Sequence, residues 1–245
     1  SVELRNYEAA GEEFQSWLLT AKDKLSTVNN TSGSKDELDS RLTKIRELQS
    51  SLDYGQGRLR LTSELVDRVL PNTNPIGCQT LQREQEDFKR EYDLLKVAIT
   101  DAKTALETTL SDWLSYERSH DQLSQWLKET EMRAKADSDL KSDLPEKKAQ
   151  LEKFRMLGND IMQHTAQMNA LHDKAGELGQ EYVEKDMENL MERFNQLRTD
   201  TEQMTLNLQD QVAEHEKYKE SYRQSMDWVL AKRQQIQQIG DSSGS

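Results

Sequence analysis

Hydrophobic residues recur along the chain at alternating spacings of four and three positions. The first such stripe is formed by Tyr7, Gly11, Phe14, Leu18, Ala21, Leu25 and Val28. The same spacing returns, with polar residues at two of its positions, at Leu81, Gln85, Phe88, Tyr92, Leu95, Ile99, Ala102, Leu106, Thr109 and Trp113. Residues three and four apart share one face of an α-helix, and a sustained seven-residue period favours supercoiled helices. The pattern therefore predicts long amphipathic helices that bury one stripe against each other.

Polar and proline-bearing stretches predict where the first helices begin and end. Residues 27–33 have the composition of a loop, and Ser34 with Glu37 fits a capping box. A helix is therefore predicted to begin at about Lys35. The two prolines within residues 71–77 predict that this helix ends near Leu70, because proline lacks a backbone donor and restricts the residue before it.

Two further breaks are predicted in the second half of the chain. Residues 137–142 are polar, and Asp143 is placed as an N-cap with Pro145 in the first helical turn, where its missing N–H is tolerated. Gly176 and Gly179 predict the next interruption. Between these breaks lie long runs that contain neither glycine nor proline, so the helices should be long.

Three tyrosine–tryptophan pairs reveal an internal repeat. In each pair the tyrosine lies ten residues before the tryptophan: Tyr7 and Trp17, Tyr116 and Trp126, Tyr218 and Trp228. The first two tryptophans are 109 residues apart and the last two 102, so one copy carries seven extra residues. Alignment of the hydrophobic positions places the slip between Leu59 and Leu81. We therefore predict a loop insertion made of Pro71, Asn72, Thr73, Asn74, Pro75, Ile76 and Gly77.

The repeat predicts the architecture. Each copy contains three helices, and the hydrophobic phase continues unbroken where the copies meet, so one helix should belong to two copies. The predicted fold is all-α, with tandem three-helix antiparallel bundles that share continuous connecting helices. The predicted domains are residues 1–113, residues 114–215, and residues 216–245 as the first helix of a third copy with a polar tail. A shared helix of about 55 residues would be about 80 Å long, which predicts an elongated rod.

The aromatic residues of the repeat are predicted to be structural. They fall at the same phase of equivalent helices, as core residues do, and a ligand-binding role is the weaker interpretation. The predicted structural core includes Trp17, Trp126, Trp228, Tyr7, Tyr116, Tyr218, Tyr92 and Phe194.

Composition and charge exclude several classes of function. The chain carries 33 Lys and Arg against 45 Asp and Glu, a formal net charge of −12, which opposes binding to nucleic acid and to anionic membranes. No run approaches the roughly 18 apolar residues of a transmembrane helix, and no signal peptide is recognisable. The single cysteine, Cys78, cannot form an internal disulfide. We expect a soluble protein of the cytoplasm.

Candidate chemistry is sparse. One Glu-x-x-His motif, Glu117 to His120, is too little for a di-iron bundle, which needs two such motifs and further carboxylates. Cys78 has no histidine or cation beside it in the sequence to activate the thiol. The glycines form no phosphate-binding loop. We predict no catalytic residue, no metal site and no cofactor.

The helix containing Phe14, Trp17 and Leu18, with its echo at Leu123, Trp126 and Leu127, resembles the first helix of a spectrin repeat. The resemblance covers the whole chain, with about 100 residues and three helices per copy. It implies a segment of a giant cytoskeletal linker, as in spectrin, α-actinin, dystrophin, the spectraplakins and the nesprins, with cytoskeletal proteins as partners of the parent chain. Glu12 and Glu13 before Phe14 are most similar to a nesprin-type linker between actin and the cytoplasmic face of the nuclear envelope.

Two functions follow as hypotheses. The first is a non-catalytic spacer that transmits force, because repeats joined by a shared helix should resist load together. The second is a protein-docking module that uses the 71–77 insertion or an exposed helix face, because loops tolerate insertions and often carry binding residues. Binding of the amphipathic helices to a membrane surface is disfavoured by the negative charge.

Overall fold

The computed structural model describes residues 1–243, and within them it is all-α. Six α-helices follow one another in this described part of the chain: α1 Val2–Val28, α2 Lys35–Ser50, α3 Leu52–Val69, α4 Pro75–Ala136, α5 Leu144–Leu178 and α6 Glu181–Ser243. A short 3₁₀ turn, Leu70–Asn72, precedes α4. The predicted fold class is confirmed.

The chain forms two compact units. The first comprises Ser1–Glu117 with Leu178–Gln180, and the second comprises Arg118–Glu177 and the described residues from Glu181. Helix α4 is continuous from Pro75 to Ala136 and so supplies a helix to each unit. We call α1 to α3 with residues 75–117 the first bundle, and residues 118–136 with α5 and the adjoining part of α6 the second bundle.

The hydrophobic stripe predicted for α1 is its buried face. Tyr7, Phe14 and Leu18 are among its buried side chains, and Ala21, Leu25 and Val28 continue the stripe. Phe14 lies against Phe88 of α4, with ring centroids 5.2 Å apart. The seven-residue spacing therefore places the core of the first bundle where α1 and α4 meet.

The predicted start of α2 is confirmed by its cap. The Glu37 backbone N–H donates to Ser34 Oγ at 3.3 Å, and the helix begins at Lys35. The Glu37 carboxylate pairs with Arg41 one turn later, at 3.4 Å. Ser34 thus satisfies a first-turn amide that would otherwise lack a partner.

The second helix of the first bundle was predicted to run unbroken from Lys35 to Leu70, and this is wrong. It is interrupted at Ser51, which separates α2 from α3. The Ser51 hydroxyl donates to Leu48 O at 2.7 Å and the Ser50 hydroxyl donates to Arg46 O at 3.0 Å. Serine hydroxyls that bond back to the preceding turn compete with the helical ladder and bend helices.

The 71–77 segment was predicted as a seven-residue loop, and it is shorter. Pro71 and Asn72 lie in the 3₁₀ turn, while Pro75, Ile76 and Gly77 form the first turn of α4. Thr73 and Asn74 alone of these seven lie outside a helix. Proline ends a helix when it lies inside one, but it is favoured at the first helical position, which Pro75 occupies.

The start of α5 is confirmed. The Glu146 backbone N–H donates to Asp143 Oδ1 at 2.8 Å, which makes Asp143 the cap. Gly176 does not break α5, which continues to Leu178, and the chain turns at Gly179 with a φ of 66°. The loop before α5 is held by Gln150, whose buried amide donates to Asp137 O at 2.6 Å and to Asp139 O at 2.7 Å.

Candidate functional site: the tryptophan positions and the shared helix

Helix α4 carries aromatic residues of both copies of the repeat. Trp113 and Tyr116 are buried, at 3% and 5% exposure, and Trp126 lies about three turns beyond Tyr116 on the same unbroken helix. Neither glycine nor proline occurs between Trp113 and Trp126, so nothing in the sequence interrupts the helical hydrogen bonds there. One element therefore contributes core residues to both bundles.

Trp17 of the first bundle packs directly onto a glycine. A Cβ added at Gly55 would lie 2.3 Å from Trp17 Cη2, closer than real side chains approach. The indole also lies against Phe14 and Tyr92, with ring centroids 6.1 Å and 6.0 Å away. The absence of a side chain at Gly55 lets the indole reach the backbone of α3.

Trp126 of the second bundle packs instead onto a histidine. Its ring stacks on His164 with centroids 3.8 Å apart and an angle of 13° between the planes. The indole Nε1–H donates to Asp160 Oδ2 at 3.0 Å, and Phe194 closes the cluster at 6.1 Å. Arg133 lies 3.6 Å from the same Asp160 oxygen. This tryptophan is held by a polar and aromatic cluster at the bundle edge.

The residues beneath the two tryptophans occupy equivalent positions. Gly55 and His164 are 109 residues apart, the same offset as Trp17 and Trp126. Sequence reasoning found the tryptophans but missed the residues that receive them. The offset of 109 residues between the two copies could have located them, because it relates Gly55 of α3 to His164 of α5.

Trp228 and Tyr218 were predicted to be core residues, and both are exposed. Trp228 is 63% exposed and Tyr218 is 70% exposed. Each residue from Glu216 to Ser242 is exposed, and Lys148 of α5 reaches only the start of this length, with its Nζ 2.7 Å from Glu216 Oε1. Trp228 instead has the Lys232 ammonium 5.7 Å from its ring centroid. A helix without neighbours cannot bury its hydrophobic stripe, whatever its sequence phase.

Two buried tyrosines of the first bundle make polar contacts across helices. The Tyr7 hydroxyl donates to Glu84 Oε1 of α4 at 3.0 Å, and the Tyr92 hydroxyl donates to Leu52 O at 2.9 Å. Burial, followed by the Glu84 charge, raises the pKa of Tyr7 well above its ordinary value. Burial, followed by nearby Asp53, also raises the pKa of Tyr92. Both phenols therefore stay protonated and donate.

Polar side chains connect helices within each bundle. In the first bundle Lys35 Nζ lies 2.9 Å from Glu117 Oε2, and this bond raises the pKa of Lys35. In the second bundle His120 Nε2 lies 2.8 Å from Asp186 Oδ2. These side chains are partly exposed, so each pair contributes little to stability, on the order of 1 kcal/mol or less.

The 71–77 segment presents one exposed apolar side chain. Ile76 is 79% exposed in the first turn of α4. Asn74 Oδ1 accepts from the Gly77 backbone N–H at 2.7 Å, which caps the helix. The Cys78 thiol is half-buried and donates to Leu70 O at 3.4 Å and to Thr73 O at 3.5 Å. The segment is thus a tight, capped turn.

Among residues 1–243, no group of three or more His, Cys, Asp and Glu side chains is arranged to hold a metal ion. None of the described helices has a stretch both long and apolar enough to cross a lipid bilayer.

Comparison with known proteins agrees with the geometry. The sequence profile of the family described as "Spectrin repeat" matches residues 111–210. This chain contains a spectrin repeat. It is 29% identical over 242 residues to "Muscle-specific protein 300 kDa" of Drosophila melanogaster, which covers 99% of this chain and 2% of that protein. The second bundle, bounded closely by the matched residues, is a spectrin repeat.

Two vertebrate relatives extend the comparison. Nesprin-3 of Mus musculus is 21% identical over 231 residues, covering 92% of this chain and 24% of that protein. Utrophin of Rattus norvegicus is 23% identical over 227 residues, covering 85% of this chain and 6% of that protein. The chain thus spans a small fraction of each relative that it matches. The similarity to these large proteins supports a structural role for this chain.

Proposed function

We propose that this chain is a non-catalytic spacer and force-transmitting segment of a larger cytoskeletal linker protein. The observation that carries the proposal is the continuity of α4, which supplies core residues to both bundles. In a row of repeats, stability is approximately the sum of the repeat terms and the terms between neighbours. A helix that belongs to two bundles couples them, because fraying one bundle removes packing from a helix that the other needs.

Mechanical unfolding tests this role. With the chain pulled from its two ends, we expect many molecules to lose both bundles in one event. Separate loss of one bundle of about 100 residues would release at most about 330–360 Å of chain. The variant Arg118→Pro interrupts α4 where the two units divide, and it should convert joint events into two separate ones. Arg118 is exposed, so Arg118→Ala is the matched control and should behave as the wild type.

Two results would contradict the spacer role. One is a wild-type chain whose bundles always unfold in separate events. The other is an Arg118→Pro variant that unfolds jointly as often as Arg118→Ala does.

We propose further that the parent protein joins actin to the cytoplasmic face of the nuclear envelope. The sequence resemblance and the likeness to Nesprin-3 support this assignment. An antibody raised against this chain tests it in cells of the source organism whose plasma membrane alone has been permeabilised. Staining of the nuclear rim is expected. Staining confined to other parts of the cell would overturn the assignment and leave the spacer role intact.

A docking role for the 71–77 segment is a second candidate, favoured by the exposure of Ile76. Deleting the segment is a poor test, because Asn74 and Pro75 form the start of α4. Ile76→Ser removes the apolar side chain and keeps the cap. If the segment docks a cytoskeletal partner, this variant should lose that partner while its thermal unfolding stays unchanged.

A further inference from the structure

The second bundle has an open groove on its surface. It lies between α5 and α6, encloses about 630 Å³, and has Phe154 and Ile161 among its lining residues. Gly158 of α5 faces Thr201 of α6 across it: a Cβ at Gly158 would lie 3.9 Å from Thr201 Cγ2. The two small residues therefore let α5 and α6 approach closely at the floor of the groove.

The internal repeat shows what opens this groove. At the offset of 109, Gly158 corresponds to Gln49, and at the offset of 102, Thr201 corresponds to Ile99. Ile99 is fully buried in the first bundle. The second bundle thus has smaller side chains at both positions, and the difference in volume leaves the groove.

The rim of the groove is apolar where the first bundle is polar. Met162 is 73% exposed and Leu206 is 61% exposed, one on each wall. Their equivalents are Asp53 and Thr104. Exposed apolar side chains on both edges of an open groove are typical of a surface that receives another helix. An enclosed site for a small molecule would bury most of its ligand, which this open groove does not.

Thr201 adds a polar group to the floor. The residue is 2% exposed, and its Oγ1 makes no hydrogen bond within the described chain. A buried hydroxyl without a partner is costly.

The charged residues at the rim of the groove indicate the charge that a partner should carry. Arg155 and Arg198 line the groove in a chain whose formal net charge is −12. Among residues 1–243 Arg198 makes no ion pair, and Arg155 has a single exposed pair, with Glu152 at 3.8 Å. Glu202 also lies on the rim. A partner helix would therefore place carboxylates beside the two arginines and keep them away from Glu202.

We propose that this groove binds an amphipathic helix of a partner protein that lays an apolar side chain over Gly158 and carries acidic residues toward Arg155 and Arg198. The helix lies along α5 and α6, with Met162 and Leu206 against its apolar face. This interaction surface goes beyond the spacer role and does not depend on it.

Fluorescence anisotropy of a labelled model peptide tests the proposal. The probe is a helix of about three heptads with Leu at a and d and Glu at e and g, used below the concentration at which it self-associates. The full chain should bind it. The same peptide with Lys in place of Glu should bind at least about threefold more weakly, because its charges face the arginines.

A second test replaces two residues of the groove by their equivalents in the first bundle. Gly158→Gln with Thr201→Ile places larger side chains at the floor of the groove and should weaken binding of the Glu peptide at least about tenfold. Circular dichroism should show an intact fold, because glutamine is a better helix former than glycine. If that variant does not fold, Met162→Asp with Leu206→Thr changes exposed positions alone and should weaken binding similarly.

The exposed stripe of α6 is the competing surface, and a matched control removes it. Val229→Ser with Ile236→Ser should leave binding of the Glu peptide unchanged. Loss of binding in this control would overturn the proposal, as would wild-type affinity in a folded groove variant. No binding by the unaltered chain, or equal affinity for the Glu and Lys peptides, would also overturn it.

Discussion

At the scale of single residues, the two bundles pack an equivalent tryptophan against different residues. A tryptophan at the same helical position meets the bare backbone at Gly55 in one bundle and the imidazole of His164 in the other. The first arrangement depends on close approach, and the second on stacking and on the hydrogen bond from Trp126 to Asp160. Both bundles thus have a tryptophan at this position, but the residues that contact it differ.

The close approach at Gly55 predicts that Gly55→Ala destabilises the chain. The added methyl group would meet the Trp17 ring at 2.3–2.5 Å, and overpacking of this kind typically costs about 1–3 kcal/mol. Gly57, on the same helix, has open space around an added Cβ. Gly57→Ala is therefore the control and should stabilise α3 by about 0.5–1 kcal/mol. Urea unfolding measures both, and equal effects of the two substitutions would refute the packing account.

The buried phenol of Tyr7 predicts a loss of stability at alkaline pH. Because its pKa is raised in the folded chain, the folded state holds the proton more tightly than the unfolded state does. The contribution of this group is complete below the ordinary tyrosine pKa of about 10 and declines as the pH rises above it. Tyr7→Phe should make the alkaline decline of the unfolding free energy shallower. Tyr54→Phe, at an exposed position, should leave the decline as it is.

At the scale of helices, the sequence predicted most of the boundaries because their chemistry is local. Ser34 and Asp143 cap the helices that they were expected to cap, and the chain turns at Gly179. The interruption at Ser51 was not predictable from the hydrophobic pattern, because the phase continues through it. It depends on which hydrogen bond a serine hydroxyl makes, and several bonds are open to every serine in a helix.

The start of α4 shows a second limit of sequence reasoning. Proline both ends and begins helices, so Pro75 alone does not say which. The hydrogen bond from the Gly77 N–H to Asn74 Oδ1 identifies the helix start. Asn74→Ala should therefore cost about 1 kcal/mol of unfolding free energy, as loss of a helix cap does. Asn72→Ala changes an exposed neighbour in the 3₁₀ turn and should have little effect, and calorimetry compares the two. A cost at Asn72 equal to that at Asn74 would argue against the cap.

The aromatic positions show why burial is harder to predict than phase. Tyr7 and Tyr116 are buried while Tyr218, at the same position of the repeat, is exposed. The phase of a residue is set by its own helix, whereas its burial depends on which other segments pack there. The groove beside Gly158 has the same cause, since it depends on small residues of α5 and α6 that meet only when the two helices pack together.

At the scale of the whole molecule, the central claim is that α4 couples the two bundles. Helix continuity from Pro75 to Ala136 is the structural basis of this claim. A proline inside a helix costs about 3 kcal/mol or more and removes a backbone hydrogen bond. Arg118→Pro should therefore lower stability and also split one cooperative transition into two, whereas Arg118→Ala should do neither.

The most direct test is hydrogen exchange followed by mass spectrometry at increasing urea concentrations. Peptides from α2 and α3 report on the first bundle, and peptides from α5 report on the second. For the wild type and Arg118→Ala we predict that both sets converge on one opening free energy with one urea dependence, and that Arg118→Pro separates them. Two distinct opening free energies in the wild-type chain, unchanged by Arg118→Pro, would contradict the coupling.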